Sequence, residues 1–263
     1  MSKAAQEFSL RRTNRYAADG NPRRTPLTGK RAISGWKLLE VKLTHIETKD
    51  HGAATRHRSD IYGLLATVYR QEITSDFLGQ IRSPQFLGAL SVLGVEGIDD
   101  LIQKPDAELL EDLAVEYSYL FLGPGKHVSP HESVHHQRED GQWGKLWGAS
   151  TVEVKKFIEA TGLSYSDDFK GLPDHISVEF EFMQQLTLRE EQAWKDEDRD
   201  KAVACRQVEK KFIEEHLIRW VPAFCEMVIQ EAELPFYQAV AALTRSFIEF
   251  ELEEMNRNGD GVA

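Results

Sequence analysis

Gly171-Leu172-Pro173-Asp174-His175-Ile176 opens a stretch free of helix breakers. From Asp174 to Val221 the chain contains neither Gly nor Pro. Ile176-Ser177-Val178-Glu179-Phe180-Glu181-Phe182 alternates apolar and polar residues, as a strand would. The unbroken continuation through Met183, Leu186 and Leu188 favours a helix, with Pro173 in its first turn. Asp174 in that turn would favour the positive helix end, and His175 would hydrogen-bond locally.

Working outward, the apolar spacing stays helical. Ile61, Leu64, Leu65, Val68 and Tyr69 share one face, with Ser59-Asp60 as the expected cap. Ser75 is placed to cap a short helix, and Ser83-Pro84 to start another that ends near Gly94 or Gly97. Asp106 to Leu122 carries Leu109, Leu110, Leu113, Tyr117, Leu120 and Phe121 on its apolar face, and Gly123-Pro124-Gly125 stops it. Residues 125–143 read as loop. Helices are then expected over 146–160, through Val203 to Val221 with a kink or restart at Pro222, and from Pro235 to about Leu252. Lys195-Asp196-Glu197-Asp198-Arg199-Asp200 reads as a solvated turn or helix end. No repeat period and no strand pair emerges, so the class is all-α: a single globular multi-helix bundle.

The bundle is expected over 56–255, with a flexible tail at 256–263. Before it, Arg11-Arg12, Arg15, Arg23-Arg24 and Lys30-Arg31 make a basic arm punctuated by Gly20, Pro22, Pro26 and Gly29, expected to be disordered or loosely docked. Ser9-Leu10-Arg11-Arg12 looks like a twin-arginine export signal, but the apolar region such a signal requires does not follow.

Composition narrows the function. A net charge of −11 speaks against nucleic acid as the main partner, because phosphate binding needs a basic surface. It suits a basic partner such as an arginine-bearing peptide. No apolar run approaches the roughly 20 residues that cross a bilayer. Cys205 and Cys225 read as reduced core thiols.

His131-Glu132-Ser133-Val134-His135 matches H-E-x-x-H, the pattern by which two histidines one helical turn apart hold zinc while the Glu activates water. Pro130 and the polar Gln137-Arg138-Glu139-Asp140 place it in a loop rather than on a buried helix. A zinc-dependent hydrolase is therefore the alternative reading, and His127, His131, His135 and His136 read first as a surface histidine cluster. Gly123-Pro124-Gly125-Lys126 lacks the spacing of a phosphate loop, and no nucleophile signature can be assembled.

The ordered set of motifs resembles a known family. Glu116-Tyr117-x-x-Leu120-Phe121-x-Gly123-Pro124, then Pro130-x-Glu132-Ser133, then Gly144 and Gly148, then Gly171 to Ile176 with Glu179-x-x-Phe182-Met183-x-x-Leu186 looks like the TorD/NarJ-type chaperones (the TorD/DmsD family) of exported molybdoenzymes. His216-Leu217-x-x-Trp220-x-Pro222-x-Phe224 and Pro235-Phe236-Tyr237 extend the match, which spans roughly residues 59–252. The Pro130-His131-Glu132-Ser133-Val134 form is similar to chaperones serving the type II dimethyl-sulfoxide-reductase group.

The resemblance implies an all-helical cytoplasmic chaperone with no catalytic residue, no metal and no cofactor of its own. Its partner would be an apo molybdoenzyme catalytic subunit, bound through its twin-arginine signal peptide until the molybdenum cofactor is inserted. The chaperone would be a monomer or a helix-exchanged dimer. Pro173, Asp174 and His175 fall on one signature motif, Glu132 and Ser133 on the other. A receptor for such a peptide needs carboxylates for its arginines and an apolar groove for its helix. Glu132, Asp174 and Glu179 are the candidate carboxylates; Phe121, Phe182 and Met183 are the candidate groove.

Overall fold

The computed structural model describes residues 51–84, 86–88, 100–123, 127–137, 141, 143–166 and 169–259. The basic arm, most of the helix expected after Ser83-Pro84, and Pro124-Gly125-Lys126 lie outside them. The described residues are helical and contain no strand. In chain order the elements are α1 (His51–Arg70), α2 (Ser75–Ile81), α3 (Asp100–Gln103), α4 (Asp106–Tyr117), α5 (Ala149–Ala160), α6 (Ile176–Lys195), α7 (Arg199–Phe212), α8 (Ile218–Glu231) and α9 (Pro235–Gly259). The all-α class expected from the spacing is the class observed. No helix among the described residues is long and apolar enough to cross a membrane.

The centre of the bundle is α6, which packs along α1 and α7. Ile176 through Met183 are all buried, which explains why this segment alternates like a strand: every face of the helix meets protein. α1 lies close enough that a Cβ on Gly63 would stand 2.1 Å from Gln184 Nε2, so that position requires glycine or a moved Gln184. The core is aromatic. Tyr69 and Phe224 pack with ring centres 5.5 Å apart, Tyr117 and Phe121 at 5.1 Å, and Phe182 and Phe212 at 4.8 Å.

Several boundaries differ from the spacing, each for a physical reason. α1 begins at least eight residues before Ser59. Ser59 is not a cap but a buried mid-helix residue, because Arg58 beside it turns inward. Arg58 Nε donates to both oxygens of Glu251 at 2.9 Å, Nη1 reaches Glu190 at 2.6 Å, and Nη2 bonds Glu209. His51, in the same helix, stacks on Trp194 of α6 with ring centres 4.6 Å apart. The cap of α2 is Thr74, whose hydroxyl accepts from Phe77 N at 3.3 Å, rather than Ser75. α9 runs to Gly259, past Leu252, so residues 256–259 continue the helix rather than form a tail.

Two helices pass through π-turns, at Ser118–Leu122 after α4 and at Ile213–Leu217 before α8. The second lies one turn upstream of Pro222, which α8 accommodates without ending. Strict 3.6-residue spacing does not announce such insertions. Glu116, at the end of α4, accepts from the backbone N–H of Leu234 at 3.1 Å and also from Glu233, and so pins the entrance of α9.

Candidate functional site

The two signature segments meet. Extended backbone at His131 and His175 forms one antiparallel bridge: Glu132 N donates to Asp174 O and Ile176 N to Pro130 O, both at 2.9 Å. This bridge displaces the helix start from its expected place. α6 begins at Ile176 with His175 as N-cap, so Pro173 and Asp174 precede the helix instead of forming its first turn. The His175 ring does the capping: Nδ1 accepts from Ser177 N at 3.1 Å. Accepting that bond leaves Nδ1 without a proton. Burial, together with His131 and Arg70 nearby, holds His175 well below the ordinary histidine range.

Asp174 is freed from the helix and turned toward the other loop. Its Oδ2 accepts from Ser133 N at 2.9 Å, and its Oδ1 has no partner among the described residues although the side chain is fully buried. Glu132 opens a single 3-10 turn, Glu132–Val134, and points inward, 2% exposed. His216 Nδ1 donates to its Oε2 at 3.0 Å and His136 Nε2 to its Oε1 at 3.1 Å. Burial opposes ionisation of Glu132, but those two rings hold its carboxyl below the usual range.

Glu179, one turn into α6, is the opposite case. It is fully buried. Trp220 Nε1 donates to Oε2 at 3.2 Å, and Oε1 has no partner among the described residues. Burial, and the charges of Glu132 and Asp174, push this carboxyl well above the usual range.

Of the candidate residues, Glu132, Ser133, Asp174, His175 and Glu179 are brought together, with Pro173 buried beside them. Phe121, Phe182 and Met183 are not part of that junction. Phe121 packs among Tyr69, Tyr117, Phe224 and Tyr237, and Phe182 between Phe157 and Phe212; all three candidates are buried and offer no open groove. The exposed apolar side chains near the junction are others: Trp143, Leu146 and Trp147, at 61%, 46% and 70% exposure. Their loop is tied down at Gly148, where an added Cβ would lie 3.1 Å from Ser133 Cβ. Trp147 holds a left-handed backbone, φ 65°, which a bulky residue adopts only at a cost.

Tyr165, His216 and Trp220 also belong to the junction, although the spacing assigned them no role there. His216 and Trp220 occur in the ordered motif set, and an Xxx-His-Leu-x-x-Trp pattern on a helix facing two acidic motifs is the signal that could have found them. Tyr165 lies in an irregular stretch that offers no such signal.

The H-E-x-x-H match does not adopt the geometry its chemistry needs. His131 is extended, residues 132–134 form one 3-10 turn, and the two rings face different neighbours. His131 meets the His175 ring at 4.8 Å, while His135 stacks on Trp220 at 5.2 Å and binds Ser129 O through Nε2 at 2.7 Å. Of the expected surface cluster only His127 is exposed; His131, His135 and His136 are half-buried, with His135 packed against Trp220 and Phe224 of α8. Burial carries His131 down to about 4, against the opposing pull of Asp174. No group of three metal-binding side chains occurs among the described residues.

Comparison with known proteins agrees with the motif order. A family model described as "Nitrate reductase delta subunit" matches residues 92–226. A protein named chaperone protein TorD from Vibrio atlanticus is 27% identical over 218 residues, covering 78% of this chain and 97% of its own length. Its namesakes from Photobacterium profundum and Vibrio cholerae are 26% and 25% identical, covering 76% and 73% of this chain and 94% and 89% of their own. The chain belongs to the nitrate reductase delta subunit family, the TorD/NarJ-type chaperones.

Proposed function

We propose that this protein is a cytoplasmic, non-enzymatic chaperone that binds the twin-arginine signal peptide of an apo molybdoenzyme catalytic subunit. It holds that subunit until the molybdenum cofactor is in place and so delays export. The observation that carries this reading is the loop junction itself. It buries Asp174 and Glu179 completely and leaves one oxygen of each without a donor among the described residues. Buried acceptors of that kind are costly unless something supplies hydrogens, and an arginine-bearing peptide supplies them in number.

The apolar part of the peptide lies, on this reading, over Trp143, Leu146 and Trp147, since Phe121, Phe182 and Met183 are sealed in the core. Loop residues Glu132, Ser133, Pro173 and His175 shape the site and keep the carboxylates in place. Hydrolysis at His131, Glu132 and His135 is disfavoured by this geometry, because Glu132 is engaged by two imidazoles in a turn that is not α-helical.

Fluorescence titration with a synthetic peptide, an Arg-Arg pair followed by an apolar stretch, tests the proposal. Saturable binding that a Gln-Gln version lacks is the expected result. Equal binding of both versions, or of neither, would contradict it.

A further inference from the structure

We propose that the basic arm before the bundle is a tethered stand-in for the client: its Arg11-Arg12 pair occupies the loop junction of the free chaperone and is displaced by the client's signal peptide. This rests on the peptide-binding reading above and adds the regulation of that site.

Charge draws the arm to the bundle. Residues 1–50 hold 11 Lys and Arg against 5 Asp and Glu, whereas residues 51–263 hold 21 against 38. The net charge of −11 therefore combines an arm of +6 with a body of −17. Opposite charges of that size attract, and screening by salt limits the pull to about 8–10 Å. Attraction alone does not choose a place on the body. The arginine pair does, because Ser9-Leu10-Arg11-Arg12 carries the feature that the junction is proposed to read in a client.

Reach permits the contact. His51 opens α1 and stacks on Trp194, near the C-terminal end of α6, while the junction sits at the other end, by Ile176. The two points are about 27 Å apart along the helix at 1.5 Å per residue. The stretch from Arg12 to His51 can extend to about 130 Å. The tether is long enough to return to its own body, and no second copy is required. Being tethered, the pair competes at an effective concentration of about 1 mM, so that even weak docking counts.

The stand-in is incomplete, and this lets the client win. Arg12 is followed by Thr13-Asn14-Arg15-Tyr16-Ala17-Ala18-Asp19-Gly20 rather than by an apolar stretch. The arm thus brings arginines but nothing to cover the exposed Trp143, Leu146 and Trp147. A signal peptide makes both contacts and displaces it. A basic peptide without an apolar stretch makes one contact, and gains no advantage over the arm. Self-occupancy in this form raises the threshold against wrong partners.

The full chain is titrated with a labelled Arg-Arg peptide that includes the apolar stretch, beside two full-length variants. Arg11→Gln with Arg12→Gln should bind it about tenfold more tightly, the gain expected when the effective concentration is about ten times the arm's own Kd. Arg23→Gln with Arg24→Gln removes the same charge from the same arm and should stay within about twofold of the parent. A synthetic peptide of residues 1–20 should displace the labelled peptide from the Arg11→Gln, Arg12→Gln variant. Parent affinity should not change with protein concentration; a fall as concentration rises would place the arm on a second copy and overturn the proposal. Equal affinity of the parent and the Arg11→Gln, Arg12→Gln variant, or equal gains from both pairs, would overturn it too while the chaperone reading stands. Binding by that variant alone would support it in its strongest form. Binding by none of the three proteins would sink both readings.

Discussion

The backbone N–H of Ser133 donates to Asp174 Oδ2 at 2.9 Å, across 41 residues of chain. With the Glu132–Asp174 and Ile176–Pro130 backbone bonds it closes two loops into one rigid wall. Asp174 therefore uses one oxygen to hold the wall together, and its other, Oδ1, has no partner among the described residues.

Asp174→Ala should remove both. A buried Ser133 N–H would lose its acceptor, costing about 1–3 kcal/mol in urea unfolding. Peptide affinity should fall by more than stability alone explains. Asp174→Asn separates the effects: its amide oxygen can still accept from Ser133 N, so most stability should return while affinity stays low.

A second prediction concerns Trp147. A bulky residue at φ 65° is strained, and Trp147 is 70% exposed. Trp147→Gly should leave unfolding stability equal or raised by about 1 kcal/mol. If the ring contributes to an apolar docking surface, the same change weakens peptide binding. Parent tryptophan fluorescence should shift to shorter wavelength as peptide is added, and the shift should shrink in Trp143→Ala and Trp147→Gly.

At the other end of α6 the chain is held by an ion cluster. Glu190 lies 11 residues beyond Glu179, about 16 Å along the helix at 1.5 Å per residue. Arg58 compensates Glu190, Glu209 and Glu251, all almost fully buried. Arg58→Met leaves Glu209 and Glu251 without their cation, and Glu190 with Arg206 alone at 3.7 Å, and should destabilise by about 3–5 kcal/mol. Hydrogen exchange should show the loss first in α1. The penalty should shrink at acid pH, where the carboxylates take up protons. Burial already pushes Glu209 up to about 8 against the pull of Arg58. The folded state therefore holds that proton at pH values where the unfolded chain has lost it. The contribution of Glu209 favours folding at low pH and disappears as pH rises toward about 8.

His131 works in the opposite direction. Its folded pKa is lowered from 6.5 to about 4, so between those values the unfolded chain binds a proton that the folded one does not. Stability from this group is present above pH 6.5 and lost as pH falls toward about 4. Urea unfolding across that window should show a shallower slope for His131→Asn than for the parent.

The helices were legible because their apolar positions recur at helical spacing over long breaker-free stretches, above all Asp174 to Val221. Boundaries failed where a side chain did something spacing cannot express. His175 caps with its ring, Asp174 reaches across to Ser133, and Arg58 turns inward and pulls seven preceding residues into α1. Motif order along the chain does not say that the two loops meet; the bridge between His131 and His175 does. Tyr165 was not legible, being a single residue in an irregular stretch. The Arg58 cluster was hidden too, since its four members lie far apart in polar-looking sequence. Phe121, Phe182 and Met183 suit a groove by residue type; only packing shows them sealed.

The most direct measurement is where the peptide's arginines sit. An Arg-Arg peptide carrying a photoreactive group beside the arginines, crosslinked to the full chain and mapped by mass spectrometry, should label residues 130–134 and 165–179. Labelling concentrated near Arg58 and Glu209, at the far end of α6, with none at the loop junction, would contradict the account.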